Sequence, residues 1–256
     1  MNFFFSVHHN DFRSRLTIPR FQNKKLSDYK YLLFSAIVIN NEWIVKKEID
    51  NSNIKNFYVI KNENLNNEKI FFLATEEEIK KLQTLSFPKL FNLNNYTSTN
   101  PDYRSNLRVY LEGKGFSSYQ SEYPSDMILK KGSILSSVSS LTNKDAEKNF
   151  LILRNIYQDP IQDQFNIFFV DIKSKIKLFT QVVHTNKTNI IEIDKNLIKP
   201  EIFVITDKYL AVPIYLSINN GHLSMEHTHP LHEYIASENK YIKVSEFKKR
   251  VYEIIS

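Results

Sequence analysis

Apolar residues in this chain come in short runs rich in Phe, Tyr, Ile and Val, each closed after a few positions by Asn, Lys or Asp. Aromatic and β-branched side chains favour the pleated strand, and runs of that length suit strands rather than helices, whose apolar residues spread over several turns. A mainly β protein is expected. Turn chemistry points the same way. Only 4 of the 256 residues are Gly, so Asn takes over positions where a left-handed backbone is needed. Asn40-Asn41, Asn66-Asn67 and Asn219-Asn220-Gly221 each separate two apolar runs. The same scarcity excludes two nucleotide-binding devices. Gly113-Lys114-Gly115 is followed by Phe116-Ser117-Ser118, without the further Gly that a dinucleotide fingerprint or a phosphate-cradling loop requires.

The order of the runs repeats. Leu33–Ile39, a turn at Asn40-Asn41, Trp43–Val45, Phe57–Ile60 and Ile70–Thr75 are matched, at nearly equal spacing, by a second series. That series is Ile167–Ile172, a turn at Lys173–Lys175, Ile176–Phe179, Ile190–Ile193 and Ile202–Thr206. Each series reads as a hairpin plus two further strands, which suggests an internal duplication. Several runs are continuous enough to be buried on both faces, so the expected architecture is two antiparallel β-sandwich lobes of jelly-roll or Ig-like type. Between them, residues 86–108 hold Phe87-Pro88, Asn94-Asn95, Thr97–Asn100 and Pro101, a loop-like composition. The expected domains are therefore an N-terminal lobe over 1–100 and a C-terminal lobe over 101–256.

Two helices are expected. Thr75 with Glu78 three residues on forms a capping box, and Ile79 and Leu82 share a side, which predicts a short helix over 75–84. Near the C-terminus, Phe247, Val251, Ile254 and Ile255 form an apolar stripe that predicts a helix over 245–255, capped by Ser245 and packed on a sheet.

Composition bounds the chemistry. With 42% hydrophobic and 24% charged residues the chain can bury a core and is unlike a disordered segment. The absence of Cys excludes disulfides, thiolate metal sites and cysteine nucleophiles. No apolar run reaches membrane-helix length, and Phe3-Phe4-Phe5 lacks the basic flank of a signal peptide, so a cytoplasmic protein without a membrane span is expected. The net charge of +6 is spread along the chain rather than set in blocks, which disfavours a nucleic-acid partner. Its densest part, Arg13, Arg15, Arg20, Lys24 and Lys25 with Phe12 and Phe21, is an aromatic and basic surface suited to a sugar phosphate or a single strand.

Four of the seven His fall close together in Gly221-His222-Leu223-Ser224-Met225-Glu226-His227-Thr228-His229-Pro230-Leu231-His232-Glu233. On a strand His227 and His229 point to one face, and Glu233 beyond the bend completes an N,N,O set for Fe(II), Mn(II), Ni(II) or Zn(II). His222, His232 and His184 are candidate additional ligands. This stretch resembles the first metal-binding motif of the cupins: Gly221, five residues, His227-Thr228-His229, three residues, Glu233, then Lys240 where that motif has a second Gly. The resemblance covers Gly221 to Lys240, and the His of the cupins' second motif has no counterpart downstream. It implies a small β-barrel and a metal-dependent activity on a small, sugar-derived substrate, with His227, His229 and Glu233 as ligands.

A second surface is drawn by Arg104, Arg108 and Tyr110, with Tyr103, Tyr119 and Tyr123 nearby. The period of two puts Arg108 and Tyr110 on one strand face, an aromatic and guanidinium pairing suited to a glycan or phosphosugar. No Gly-x-Ser-x-Gly elbow accompanies the serines at 133–140, and Asp159-Pro160 reads as a turn. The leading functional expectation is a non-enzymatic recognition protein that binds a glycan, a small ligand or a protein partner. The alternative is the cupin-like metal enzyme.

Overall fold

The computed structural model describes residues 2–22, 25–26, 31–49, 54–83, 105–120, 122–124, 134–154, 156, 159–206, 213–227, 234–237 and 240–256. The chain divides into two compact units. The first is Met1–Leu129 with Ile156–Gln162 and Asn186–Thr188, and the second is Lys130–Asn155, Asp163–Thr185 and Asn189–Ser256.

Among the described residues, eleven strands lie in the first unit: β1 (Asn2–Phe5), β2 (Arg13–Pro19), β3 (Phe21–Gln22), β4 (Lys25–Leu26), β5 (Leu32–Ile39), β6 (Glu42–Lys47), β7 (Phe57–Lys61), β8 (Ile70–Ala74), β9 (Asn106–Tyr110), β10 (Phe116–Tyr119) and β11 (Glu122–Pro124). They form a five-stranded sheet in the order β11-β1-β8-β5-β6, a four-stranded sheet in the order β10-β9-β2-β7, and the β3–β4 pair. The second unit carries β12 (Ile134–Ser137), β13 (Lys148–Arg154), β14 (Gln164–Asp171), β15 (Ile176–His184), β16 (Thr188–Glu192), β17 (Ile202–Thr206), β18 (Ile214–Asn219), β19 (His222–His227), β20 (Tyr234–Ser237) and β21 (Lys240–Lys243). Two four-stranded sheets result, β12-β17-β14-β15 and β16-β13-β18-β19, with β20–β21 as a separate pair.

The two units share one connectivity. The order β1-β8-β5-β6 recurs as β12-β17-β14-β15, and β7-β2-β9-β10 recurs as β16-β13-β18-β19. The matched runs of the sequence fall on β5 to β8 and on β14 to β17. Even the 3-10 turn before the last of these strands recurs, at Asn62–Asn64 and at Lys195–Leu197.

The expectation of two jelly-roll or Ig-like sandwich lobes is corrected. Apart from the two-stranded pairs, the described strands form four small antiparallel sheets of four or five strands, each about as wide as a propeller blade. Pairing between strands far apart in sequence, which apolar runs do not encode, accounts for the difference. Asn40 and Asn41 take φ of 52° and 61° and set Ile39 opposite Glu42, while Asn220 and Gly221 take 49° and 77° and set Asn219 opposite His222. Such two-residue turns keep β5 beside β6 and β18 beside β19, while other consecutive strands, such as β6 and β7 or β7 and β8, lie in different sheets. Asn66-Asn67 works differently. Its backbone is not left-handed, and the Asn67 side chain brackets His8, accepting from its N–H at 2.8 Å and donating to its carbonyl at 2.9 Å.

Cores form where the inward residues of these strands meet. In the first unit Phe4, Leu16, Ile18, Ile60 and Phe71 belong to one buried cluster, and in the second Leu151, Leu153, Ile167, Val204 and Tyr215 belong to another. The expected helices form. Helix α1 (Glu76–Gln83) starts with a reciprocal capping box, in which Glu78 N–H donates to Thr75 Oγ1 at 3.2 Å and Thr75 N–H donates to Glu78 Oε2 at 2.7 Å. Helix α2 (Val244–Ile255) lays Phe247 and Val251 on Val170 of β14 and Ile205 of β17, and the Tyr252 hydroxyl donates to the Thr206 carbonyl at 2.8 Å. Its cap is Lys243, not Ser245, because strand β21 runs directly into the helix. No helix among the described residues is long and apolar enough to cross a membrane.

Tyr215 is an exception to the otherwise apolar second core. Its hydroxyl is buried with no hydrogen-bond partner among the described residues, and burial raises its pKa. A buried unpaired hydroxyl costs about 1–3 kcal/mol. Tyr215→Phe should therefore raise stability by about 1 kcal/mol, seen as a higher urea midpoint with unchanged slope. A lower midpoint would mean that the hydroxyl is bonded.

Candidate functional site

The four-stranded sheet β10-β9-β2-β7 of the first unit has one apolar face and one charged face. On β2 Ser14, Leu16 and Ile18 are buried, so Arg13, Arg15 and Thr17 face the other way. On β9 Leu107 and Val109 are buried, which turns Arg108 and Tyr110 outward. Tyr58 and Ile60 point inward from β7 and leave Val59 and Lys61 outside.

Register then builds two rows across this outer face. Lys61 of β7 sits opposite Arg15 of β2, Arg15 opposite Arg108 of β9, and Arg108 opposite Ser118 of β10. In the next row Arg13 is opposite Tyr110, and Tyr110 opposite Phe116. Three cations thus stand side by side on adjacent strands with no carboxylate in either row. Among the described residues none of Arg13, Arg15, Lys61 and Arg108 forms an ion pair.

Aromatic rings hold one of these cations flat. The Arg108 guanidinium lies 3.8 Å from the Phe116 ring centroid and 5.9 Å from that of Tyr110, and its Nε is buried without a hydrogen-bond partner among the described residues. Phe116 itself is 56% exposed, unusual for so large an apolar side chain. A stacked guanidinium keeps its planar fork in place for a carboxylate, sulfate or phosphate, while the exposed ring offers a flat surface to a sugar. Arg20 is stacked separately, 3.7 Å over Tyr58. That contact and desolvation act oppositely on Tyr58, and its pKa is raised because burial outweighs the nearby Arg20 charge.

Of the residues picked out in the sequence, Arg108 and Tyr110 are brought together with Arg13 and Arg15, which belong to a distant stretch of chain. Arg104 lies outside the described residues, as do Lys24, His229, His232 and Glu233. Lys61 and Phe116 were not singled out. The signal for them is register between strands far apart in sequence, which no local pattern encodes.

Of the expected His set, only His227, with the candidate ligands His222 and His184, falls within the described residues. His222 and His227 stand at opposite ends of β19, an odd number of residues apart, so they project to opposite faces and are separated by roughly 17 Å. His227 follows Met225 on the face shared with Leu216 and Phe150, and it is exposed. His184 ends β15, where its backbone is clasped by the Asn189 side chain at 2.9 and 2.8 Å. No group of three His, Asp or Glu placed to hold a metal ion occurs among the described residues. In comparisons with known proteins, no family model, no curated protein and no solved structure matches the chain.

Like charges placed directly opposite on neighbouring strands cost stability. Arg15→Glu would turn two repulsive pairs into attractive ones and should stabilise the free protein by about 0.2–1 kcal/mol. Thermal unfolding at low salt checks this, and the gain should shrink as salt is added. A destabilised variant would show that Arg15 is already neutralised.

Proposed function

We propose that the protein is a non-enzymatic recognition module that binds an acidic glycan on the outer face of the β10-β9-β2-β7 sheet. The observation carrying this reading is the row Lys61, Arg15 and Arg108, opposed in register beside the Phe116 and Tyr110 rings. Such a row raises the energy of the empty protein and lowers that of a complex with a multiply charged anion, so its cost is offset only when an anion is present. The rings supply apolar contact to sugar faces, and the Arg108 fork supplies direction.

Each part has a distinct role. Arg108 recognises one sulfate, phosphate or carboxylate group, Arg13, Arg15 and Lys61 contribute charge, and Phe116 with Tyr110 form the platform. Among the described residues of the two rows, no His, Asp or Glu stands beside a hydroxyl. The expected action is therefore capture rather than turnover.

Titration calorimetry with a sulfated heparin-derived oligosaccharide, and with an uncharged oligosaccharide of equal length, tests the reading. The sulfated ligand should bind, and its affinity should fall steadily with salt. Arg108→Ala should weaken it by about tenfold or more, the loss expected for one charge-assisted contact. Equal binding of both ligands, or none by either, would overturn the proposal. A single-stranded oligonucleotide binding more tightly than the glycan would replace it with a nucleic-acid function.

A further inference from the structure

Strand β6 ends one sheet of the first unit and β7 ends the other. Two adjoining cavities of about 450 and 600 Å³ lie along them and share Leu33, Lys47, Glu48 and Ile49. Together they form a groove of ligand size. Its lining includes the apolar Leu33, Val59, Ile60 and Ile49, the last of these 83% exposed. Around them stand five cations, Arg20, Lys46, Lys47, Lys61 and Lys69, against two carboxylates, Glu48 and Glu63.

Internal pairing consumes only part of this charge. Glu48 is half-buried and committed, accepting from Lys69 Nζ at 2.9 Å and from the Ser35 hydroxyl at 2.5 Å. Lys47 reaches away to Glu76 of α1 at 2.8 Å. Lys46 and Lys61 form no ion pair among the described residues, and neither does Glu63. Arg20, stacked 3.7 Å over Tyr58, lines the far end. What remains is a positive groove with an apolar floor, tempered by one carboxylate. Such a lining matches a molecule with a flat, weakly polar body and a multiply charged anionic end.

We propose that this groove binds an organic polyphosphate of the nucleoside di- or triphosphate class. The body lies on Ile49 and Val59, and the phosphates lie between Lys46 and Lys61. Lysine ammonium groups on flexible stems suit phosphates as point charges and need no glycine-rich loop. The groove shares Lys61 with the charged sheet face, but Lys46 belongs to the groove alone and Arg13 to the face alone, so variants at those two positions tell the readings apart.

Calorimetric titration of the full chain with ATP, adenosine and inorganic tripolyphosphate tests it. ATP should bind best, tripolyphosphate more weakly and adenosine least, with ATP affinity falling as salt rises. Lys46→Glu, at an exposed position, should weaken ATP by about tenfold or more, and Arg13→Glu should leave it unchanged. Circular dichroism confirms that both variants fold. The proposal is overturned if the wild type binds neither ATP nor tripolyphosphate, or if Lys46→Glu binds ATP as the wild type does. It is also overturned if Arg13→Glu is the variant that loses ATP, which would assign the phosphate to the sheet face.

Discussion

The charged face of the first unit depends on the antiparallel register of β2 between β7 and β9. That register is fixed by burial. Leu16 and Ile18 point into the core beside Leu107 and Ile60, and a slip of one residue would turn them out to water and bring Arg13 and Arg15 inside. Moving an unpaired guanidinium into such a core costs several kcal/mol, far more than the repulsion between exposed neighbours. The hydrophobic side of the sheet therefore dictates the arrangement on its charged side. Arg15 faces Arg108 because Leu16 faces Leu107.

The second unit shows what the same connectivity does with other side chains. Where the first unit has Arg15 and Arg108 outside β2 and β9, the equivalent strands β13 and β18 carry Phe150 and Leu216, opposite one another and fully buried. One strand plan thus presents a charged exposed face in one unit and a buried apolar face in the other. Function on this view lies in the outward residues, and the inward ones are constrained to fill a core. The long edge strand β15 differs again, with Ile176, Leu178, Phe179 and Val182 each more than a third exposed.

Legibility in the sequence followed the range of the interactions concerned. The hairpins could be read from Asn40-Asn41 and Asn220-Gly221, because a left-handed backbone is a local demand with few residue solutions. The capping box at Thr75 and Glu78 and the stripe at Phe247 and Val251 are local too. The correspondence of β5 to β8 with β14 to β17 was visible as repeated apolar spacing. Sheet assignment was not, since it depends on which strands pair across long stretches of chain. The same limit hid the charged face. Arg13 and Arg15 were legible as a basic stretch, Arg108 and Tyr110 as a strand face, but their meeting is a property of register alone. The His-rich stretch is not decided by this comparison, because His229, His232 and Glu233 lie outside the described residues.

The most direct test of this account is amide and side-chain chemical-shift mapping of the protein during titration with a sulfated oligosaccharide. Shifts confined to Arg13, Arg15, Lys61, Arg108, Tyr110 and Phe116 and their strand neighbours are predicted, with the Arg108 guanidinium protons among the most affected. Saturable shifts centred instead on β14, β17 and α2, or on β19, with the rows of β2 and β9 unmoved, would contradict it.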